Sequence, residues 1–145
     1  MRNIIFRGKR IDNGEWEYGD LLQYDDGAVC IGVHSKNYTD DGFNAGQYRH
    51  IVPVDENTVG QYTGLKDKKG AMIFEGDILL LSDGKSHSED VVVEHGLYGW
   101  TFYNPQTATF YSDGSHTYVA VENCRFMFGT GVVIGNIHDN PDLLK

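Results

Sequence analysis

Carboxylates and histidines are the residues of this sequence whose types could support acid–base or metal chemistry. Glu75 and Asp77 flank Gly76, and two neighbouring carboxylates can act as acid and base when their surroundings push their pKa values apart. No charged partner that would do so is evident, and a Glu-Gly-Asp turn needs the same residues for its backbone. We therefore interpret this trio as a turn.

Metal binding in proteins needs at least three His, Cys or carboxylate ligands that converge. The two Asp-Asp-Gly runs, at 25–27 and 40–42, lack the alternating oxygen ligands of an EF-hand loop and are typical of turns. Walker loops, dinucleotide fingerprints and nucleophile elbows are also absent from the sequence. We therefore predict no catalytic, metal-binding or cofactor-binding residue and no cofactor. The histidines lack the paired spacing of a metal site: His34, His50, His87, His95, His116 and His138.

Aromatic residues in the second half could form a stacking surface for the bases of a single strand. The chain has 12 Lys and Arg against 21 Asp and Glu, a formal charge of −9, whereas affinity for nucleic acid comes mostly from Lys and Arg. The one local basic run, Lys66-Asp67-Lys68-Lys69, is typical of a solvated hairpin tip. Packing in the core or at a subunit interface is therefore the favoured role of these aromatics: Trp100, Phe102, Tyr103, Phe110, Tyr111, Phe126 and Phe128.

Length and composition indicate a globular protein of one domain or two small lobes. The 145 residues are 40% hydrophobic and 23% charged, which excludes wholesale disorder. The first apolar run, residues 4–6, is too short for a signal peptide, and no stretch approaches the ~20 apolar residues of a membrane-spanning helix. Cys30 and Cys124 are predicted to be buried thiols of a cytoplasmic protein, and a bridge between them remains the alternative.

The first half of the chain predicts an antiparallel meander. Asn13-Gly14 is a hairpin signal between strands at 4–11 and 15–24. Asp25-Asp26-Gly27 then leads into a strand at 28–33. The polar, Gly-bearing stretch at 34–48 predicts a long surface loop, which is a candidate interaction site. A further strand follows at 49–54, and residues 55–59 are expected to form one short helical turn.

The second half predicts a small, closed or nearly closed β-barrel. After the 75–77 turn come apolar or alternating segments at 78–81, 89–95, 98–104, 117–124 and 131–137, each bounded by turn residues. Asn140 followed by Pro141 predicts a short helical turn at the end of the chain. Charge divides unevenly, because residues 76–145 hold 3 basic and 9 acidic groups.

Three stretches together resemble the YopX-like proteins encoded by phages and prophages. They are Phe6-Arg7-Gly8 with Trp16-x-Tyr18-Gly19-Asp20-Leu21, the central run from Asp55-x-x-Thr58-Val59-Gly60 through Gln61-Tyr62-Thr63-Gly64-Leu65 to Glu75-Gly76-Asp77-Ile78, and Val133-Ile134-Gly135-Asn136 to the end of the chain. The resemblance implies an SH3-like barrel in the C-terminal part. It also implies an accessory phage gene product without an established activity, and it supplies no catalytic residues.

The sequence thus predicts a mainly β protein, with a β-rich α+β fold as the variant. Residues 1–61 form the meander with its loop, and residues 62–145 form the SH3-like barrel. The two segments either pack against each other as separate lobes or form a single unit. The favoured function is a non-enzymatic protein-binding or self-assembling module in the host bacterial cytoplasm, without membrane or nucleic-acid partners. Two alternatives stay open: a small divalent-metal-dependent hydrolase or nuclease, and an acidic inhibitor that mimics nucleic acid.

Overall fold

The computed structural model describes residues 3–34, 48–82, 84–97, 99–117 and 130–145. Within these ranges the chain is mainly β, as the sequence predicted, with nine strands whose recorded pairings are antiparallel. The chain divides into two compact units, Met1–Tyr62 and Thr63–Lys145. None of the helices in the described ranges has the length and apolar character needed to cross a membrane.

The strands of the first unit pair in a closed cycle. β1 pairs with β2, β2 with β3, β3 with β4, and β4 returns to β1. β1 is therefore paired with a strand on both sides and is not an edge strand. The four strands are β1 (Phe6–Arg10), β2 (Trp16–Gln23), β3 (Val29–His34) and β4 (Tyr48–Lys66).

Alternation of side chains across this cycle defines its interior. Directly paired residues share a face of a sheet, and Leu21, Ile31 and Val52 form one such row. Ile31 and Val52 are buried, so this row faces inward. Gly8 completes the packing, because a Cβ at that position would lie only 2.9 Å from Cγ2 of buried Val54.

The helical turn predicted for residues 55–59 is wrong, because these residues belong to β4. The pairing of β1 with β4 shifts register here: Arg7 faces Gly60, whereas Lys9 faces Asp55. The extra residues of β4 bulge, and their local bonds are those of a turn: the Thr58 hydroxyl donates to Asp55 O at 2.6 Å and accepts Lys9 N–H at 2.9 Å. Turn chemistry is therefore present, but pairing with β1 before and after the bulge keeps the segment in the strand.

Several predicted features lie outside the described residues. They are residues 35–47 of the loop predicted at 34–48, most of the strand at 117–124, Cys124, and the aromatic pair Phe126 and Phe128. Cys30, by contrast, is described: it is buried in β3 and carries a free thiol.

The second unit contains a four-stranded antiparallel sheet with the order β8-β7-β6-β9. Its central strands bury neighbouring side chains on both faces, since Val91, Val92 and Val93 are all buried. The strands of this unit are β5 (Met72–Phe74), which follows the end of β4, β6 (Asp77–Ser82), β7 (Ser88–Gly96), β8 (Gly99–Tyr103) and β9 (Val132–Asn136). Its core cluster consists of Ile73, Leu79, Leu81, Val91, Val93 and Phe102.

Asp67 joins two distant segments of this unit. It lies within the basic run, but its side chain is only 7% exposed, while Lys66, Lys68 and Lys69 are exposed. Its Oδ1 accepts the backbone N–H groups of Lys69 and Ala71, each at 2.8 Å, and its Oδ2 accepts that of Val133 in β9 at 2.9 Å. The carboxylate therefore holds the turn after β4 and fastens β9 to it.

We expect Asp67→Asn to lower the free energy of unfolding by about 2 kcal/mol, the usual range for a buried bond to a charged acceptor. The amide can keep one oxygen as an acceptor, but its NH₂ group then faces a backbone donor. Urea denaturation of the full chain measures the loss. Asp142→Asn, a change at a largely exposed carboxylate, is the control, and an equal loss in both variants would contradict the role of Asp67.

The same carboxylate makes stability depend on pH. Burial opposes its ionisation, but the N–H groups of Val133, Ala71 and Lys69 outweigh burial and hold the pKa of Asp67 below its ordinary value. A lowered folded-state pKa contributes stability that is complete above the unfolded pKa of about 4 and is lost as the pH falls through the folded pKa. The difference in unfolding free energy between the wild type and Asp67→Asn should therefore be largest near neutrality and shrink below about pH 4. A difference in unfolding free energy that stays constant from neutrality to below about pH 4 would contradict this role of the Asp67 charge.

Candidate functional site

The Glu75-Gly76-Asp77 trio forms the turn between β5 and β6. Asp77 is 2% exposed, and its Oδ2 accepts the backbone N–H of Phe74 at 2.7 Å. Gly76 has φ = 86°, a conformation that L side chains rarely adopt. Its N–H donates to Val93 O at 2.8 Å, and its carbonyl accepts Ile137 N–H at 2.9 Å. The trio thus connects β7 with the segment after β9, and the Asp77 carboxylate serves as an acceptor for a backbone N–H.

The C-terminal stretch is organised by two asparagines. Asn136 Oδ1 accepts the backbone N–H groups of His138 and Asp139 at 3.0 and 2.9 Å. Asn140 precedes a 3₁₀ helix, Pro141–Leu144, at the place where the sequence predicted a helical turn. Its side chain makes no capping bond, and Oδ1 instead accepts Asn136 N–H at 3.2 Å. The side-chain oxygens of both asparagines therefore accept local backbone N–H groups.

The histidines do not converge. His34 and Tyr48, which end β3 and begin β4, both bind Asp20: His34 Nε2 lies 3.1 Å from Oδ1, and the Tyr48 hydroxyl donates to Oδ2 at 2.8 Å. The hydrogen bond to Asp20 raises the pKa of Tyr48. His95 packs edge-on against Trp100. Among the residues that the structure describes, no three His, Cys, Asp or Glu side chains are placed to hold a metal ion.

Four of the aromatic residues singled out in the sequence fall into two pairs. Phe102 is completely buried in the core of the second unit, and Trp100 packs against that core. Phe110 and Tyr111 are 56% and 54% exposed. Packing therefore accounts for the first pair but leaves the second pair available for contact with another molecule.

Phe110 and Tyr111 lie on a short hairpin, residues 109–117, which we call the aromatic hairpin. Phe110 forms a β-bridge with His116, and Thr117 N–H donates to Thr109 O at 3.0 Å. Tyr111 N–H donates to Ser115 O at 2.8 Å across the tip. An Asp-Gly pair, Asp113 and Gly114, forms that tip, as is common in tight hairpins.

A charged and aromatic cluster anchors the hairpin to the sheet. His116 Nε2 lies 2.9 Å from Glu94 Oε2 in β7. The ring of Tyr103, in β8, lies against the His116 ring with 3.8 Å between centroids, and Phe110 contacts both rings edge-on. Burial, together with the negative charge of Glu94, raises the pKa of Tyr103. The anchor therefore holds Phe110 in a defined position at the surface.

The sequence contains a signal for this hairpin but none for its anchor. Asp113-Gly114 between Phe110-Tyr111 and His116-Thr117 is a hairpin signal. It lies between the predicted strands at 98–104 and 117–124. Glu94 and His116 are too far apart in sequence for any local motif to relate them. The aromatic hairpin thus exposes two apolar rings on a hydrogen-bonded turn.

Comparison with known proteins identifies a family and a structural relative of the chain. A family model described as YopX protein matches residues 5–145. A solved structure described as "Crystal structure of protein EF1440 from Enterococcus faecalis" is 24% identical over 100% of both chains, with a TM-score of 0.51. At this identity the likeness concerns the fold alone. No curated protein matches the chain.

We expect Glu94→Gln to loosen the aromatic hairpin without unfolding the protein. It removes the negative charge that faces His116 Nε2 in a partly exposed contact worth about 1 kcal/mol at most. Exchange of the backbone amides of Tyr111 and Thr117 should therefore accelerate about fivefold, while the urea midpoint changes little. Asp142→Asn, which removes an exposed ion pair with Lys145, is the control. Unchanged exchange at both amides would show that Glu94 does not anchor the hairpin.

Proposed function

The chain belongs to the YopX protein family, and from that premise we propose that it is a non-enzymatic phage or prophage accessory protein that binds another protein or a second copy of itself. We place this activity in the host bacterial cytoplasm. The observation that carries the proposal is the aromatic hairpin, on which Phe110 and Tyr111 are more than half exposed although the backbone beneath them is hydrogen-bonded.

Exposed aromatics of this kind are suited to protein contacts. Phe and Tyr bury large areas with few rotatable bonds, and the Tyr hydroxyl can bind a polar rim. A few such anchors commonly supply most of the energy of an interface. Because the hairpin is already held by Glu94 and Tyr103, it would lose little conformational entropy when a partner binds.

Charge favours a protein partner with a basic rim. Residues 76–145 carry 3 basic and 9 acidic groups, and Glu94 and Asp113 belong to the aromatic hairpin or its anchor. Carboxylates next to the exposed rings would repel a phosphate backbone and attract Lys or Arg around an apolar pocket. This charge pattern supports protein binding over stacking on nucleic-acid bases.

We also propose that residues 62–145 form an SH3-like barrel. Short antiparallel strands around one apolar cluster, joined by turns such as Gly76 and Asp77, support it. The metal-dependent alternative has no comparable support, because no cluster of three ligating side chains occurs in the described ranges. The nucleic-acid mimic needs rows of outward carboxylates, whereas Asp67 and Asp77 point into backbone donors.

The test compares association of the full-length wild type with that of the double variant Phe110→Ser, Tyr111→Ser. Sedimentation velocity over a concentration series measures self-association. Capture of the tagged chain from induced lysogenic cells, quantified by mass spectrometry, measures binding of other proteins. Leu97→Ser is the matched control, because Leu97 is an 87% exposed apolar residue of the same unit that lies outside the aromatic hairpin.

We expect the double variant to weaken one such complex at least tenfold, about 1.4 kcal/mol, while Leu97→Ser leaves it intact and both variants keep the wild-type urea midpoint. Association that is unchanged in the double variant would overturn the role of the aromatic hairpin. A wild type that stays monomeric and enriches no protein would overturn the proposed function itself.

A further inference from the structure

A depression of about 560 Å³ lies at one end of the strand cycle of the first unit. Its walls are the hairpin turn after β1, the turn before β3 and the bulge of β4. All of its lining residues lie between Lys9 and Asn57, so the depression belongs to the first unit alone. Its volume falls within the range of binding sites for small molecules or single side chains, which are frequent at the ends of closed β structures.

The walls of the depression are largely apolar. They include Ile11, Ala28, Val29, Pro53 and Val54. Ile11 is 69% exposed, so a large aliphatic side chain remains in contact with water beside an apolar hollow. Burying such a side chain against a ligand is favourable in proportion to the area covered.

The lining of the depression carries charges of both signs, with Lys9 and Arg10 as well as Asp55 and Glu56. Arg10 is engaged by its neighbours, with Nε and Nη2 bonding the two oxygens of Asp12 at 2.8 and 2.7 Å and Nη1 bonding Glu17 at 3.1 Å. The ammonium group of Lys9 lies over the Trp16 ring, 5.6 Å from its centroid.

The opposite wall contributes the carboxylates. Asp55 Oδ1 accepts the backbone N–H and the side-chain amide of Asn57, at 3.0 and 3.2 Å. Next to it, Glu56 is exposed, and no ion pair involving it is formed within the described ranges. Arg10 is thus paired with carboxylates, while the Glu56 carboxylate remains open to a positive group.

We propose that this depression binds an extended peptide segment in which an apolar residue is followed by Lys or Arg. The apolar side chain fills the hollow beside Ile11 and Val29, and the cation pairs with Glu56 across the rim. The match is one of charge and polarity: an acidic apolar segment loses the pairing with Glu56, and a purely polar segment loses the contact in the hollow. This site is independent of the aromatic hairpin, so the two proposals can fail separately.

The experiment is an NMR titration of the ¹⁵N-labelled full-length chain with the peptide acetyl-Leu-Lys-Leu-Lys-amide. Its matched control is acetyl-Leu-Glu-Leu-Glu-amide, which keeps the apolar residues and reverses the charge. Three variants are titrated in parallel: Glu56→Gln, Ile11→Ser and Ile51→Ser. Ile51 is an exposed residue of β4 that does not line the depression, and it controls for the general loss of a surface isoleucine.

We expect the basic peptide to shift the backbone amides of the lining residues in a saturable way and the acidic peptide to bind at least fivefold more weakly. Glu56→Gln should weaken binding of the basic peptide about fivefold and Ile11→Ser about tenfold, with Ile51→Ser unchanged. Equal binding of both peptides, shifts away from the depression, an equal loss in Ile51→Ser or an absence of binding would each overturn the proposal.

Discussion

The side chain of Asp67 supplies the acceptor on which the second unit depends. Two segments that are far apart in the sequence, the turn at 67–71 and strand β9, present backbone N–H groups to one buried carboxylate. Donors buried without an acceptor would cost more than the bond itself contributes. An ionised carboxylate suits this position because both of its oxygens accept and neither donates. The ends of the unit are therefore joined by hydrogen bonds as well as by the apolar cluster around Phe102.

The same use of polar side chains recurs at the other conspicuous residues of the sequence. Asp77 caps the turn before β6, and Asn136 and Asn140 fix the chain beyond β9. These residues lie in the stretches that carry the family resemblance, yet their acceptor atoms are bound to backbone N–H groups. The residues that carry the family resemblance therefore serve the fold, and a fold does not by itself determine a function.

Local patterns predicted most of the strands, because hairpin turns and side-chain alternation are properties of neighbouring residues. They failed at 55–59, where turn-forming residues are held in β4 by pairing with β1, a contact between distant segments. They also could not separate Phe102 from Phe110, since composition is alike for a core ring and an exposed one. The pairing of Glu94 with His116 depends on how β7 and the aromatic hairpin meet, which spacing does not reveal.

Binding requires groups whose capacity is not already used inside the fold. The side-chain oxygens of the polar motif residues already accept backbone N–H groups. Phe110 and Tyr111, by contrast, expose large apolar faces to water, and Glu56 has an exposed carboxylate. Position matters as much as exposure: an aromatic side chain on an ordered hairpin loses less conformational freedom on binding than one on a free segment. The two contact surfaces that we propose therefore lie on turns and bulges between the strands, where the side chains face outward.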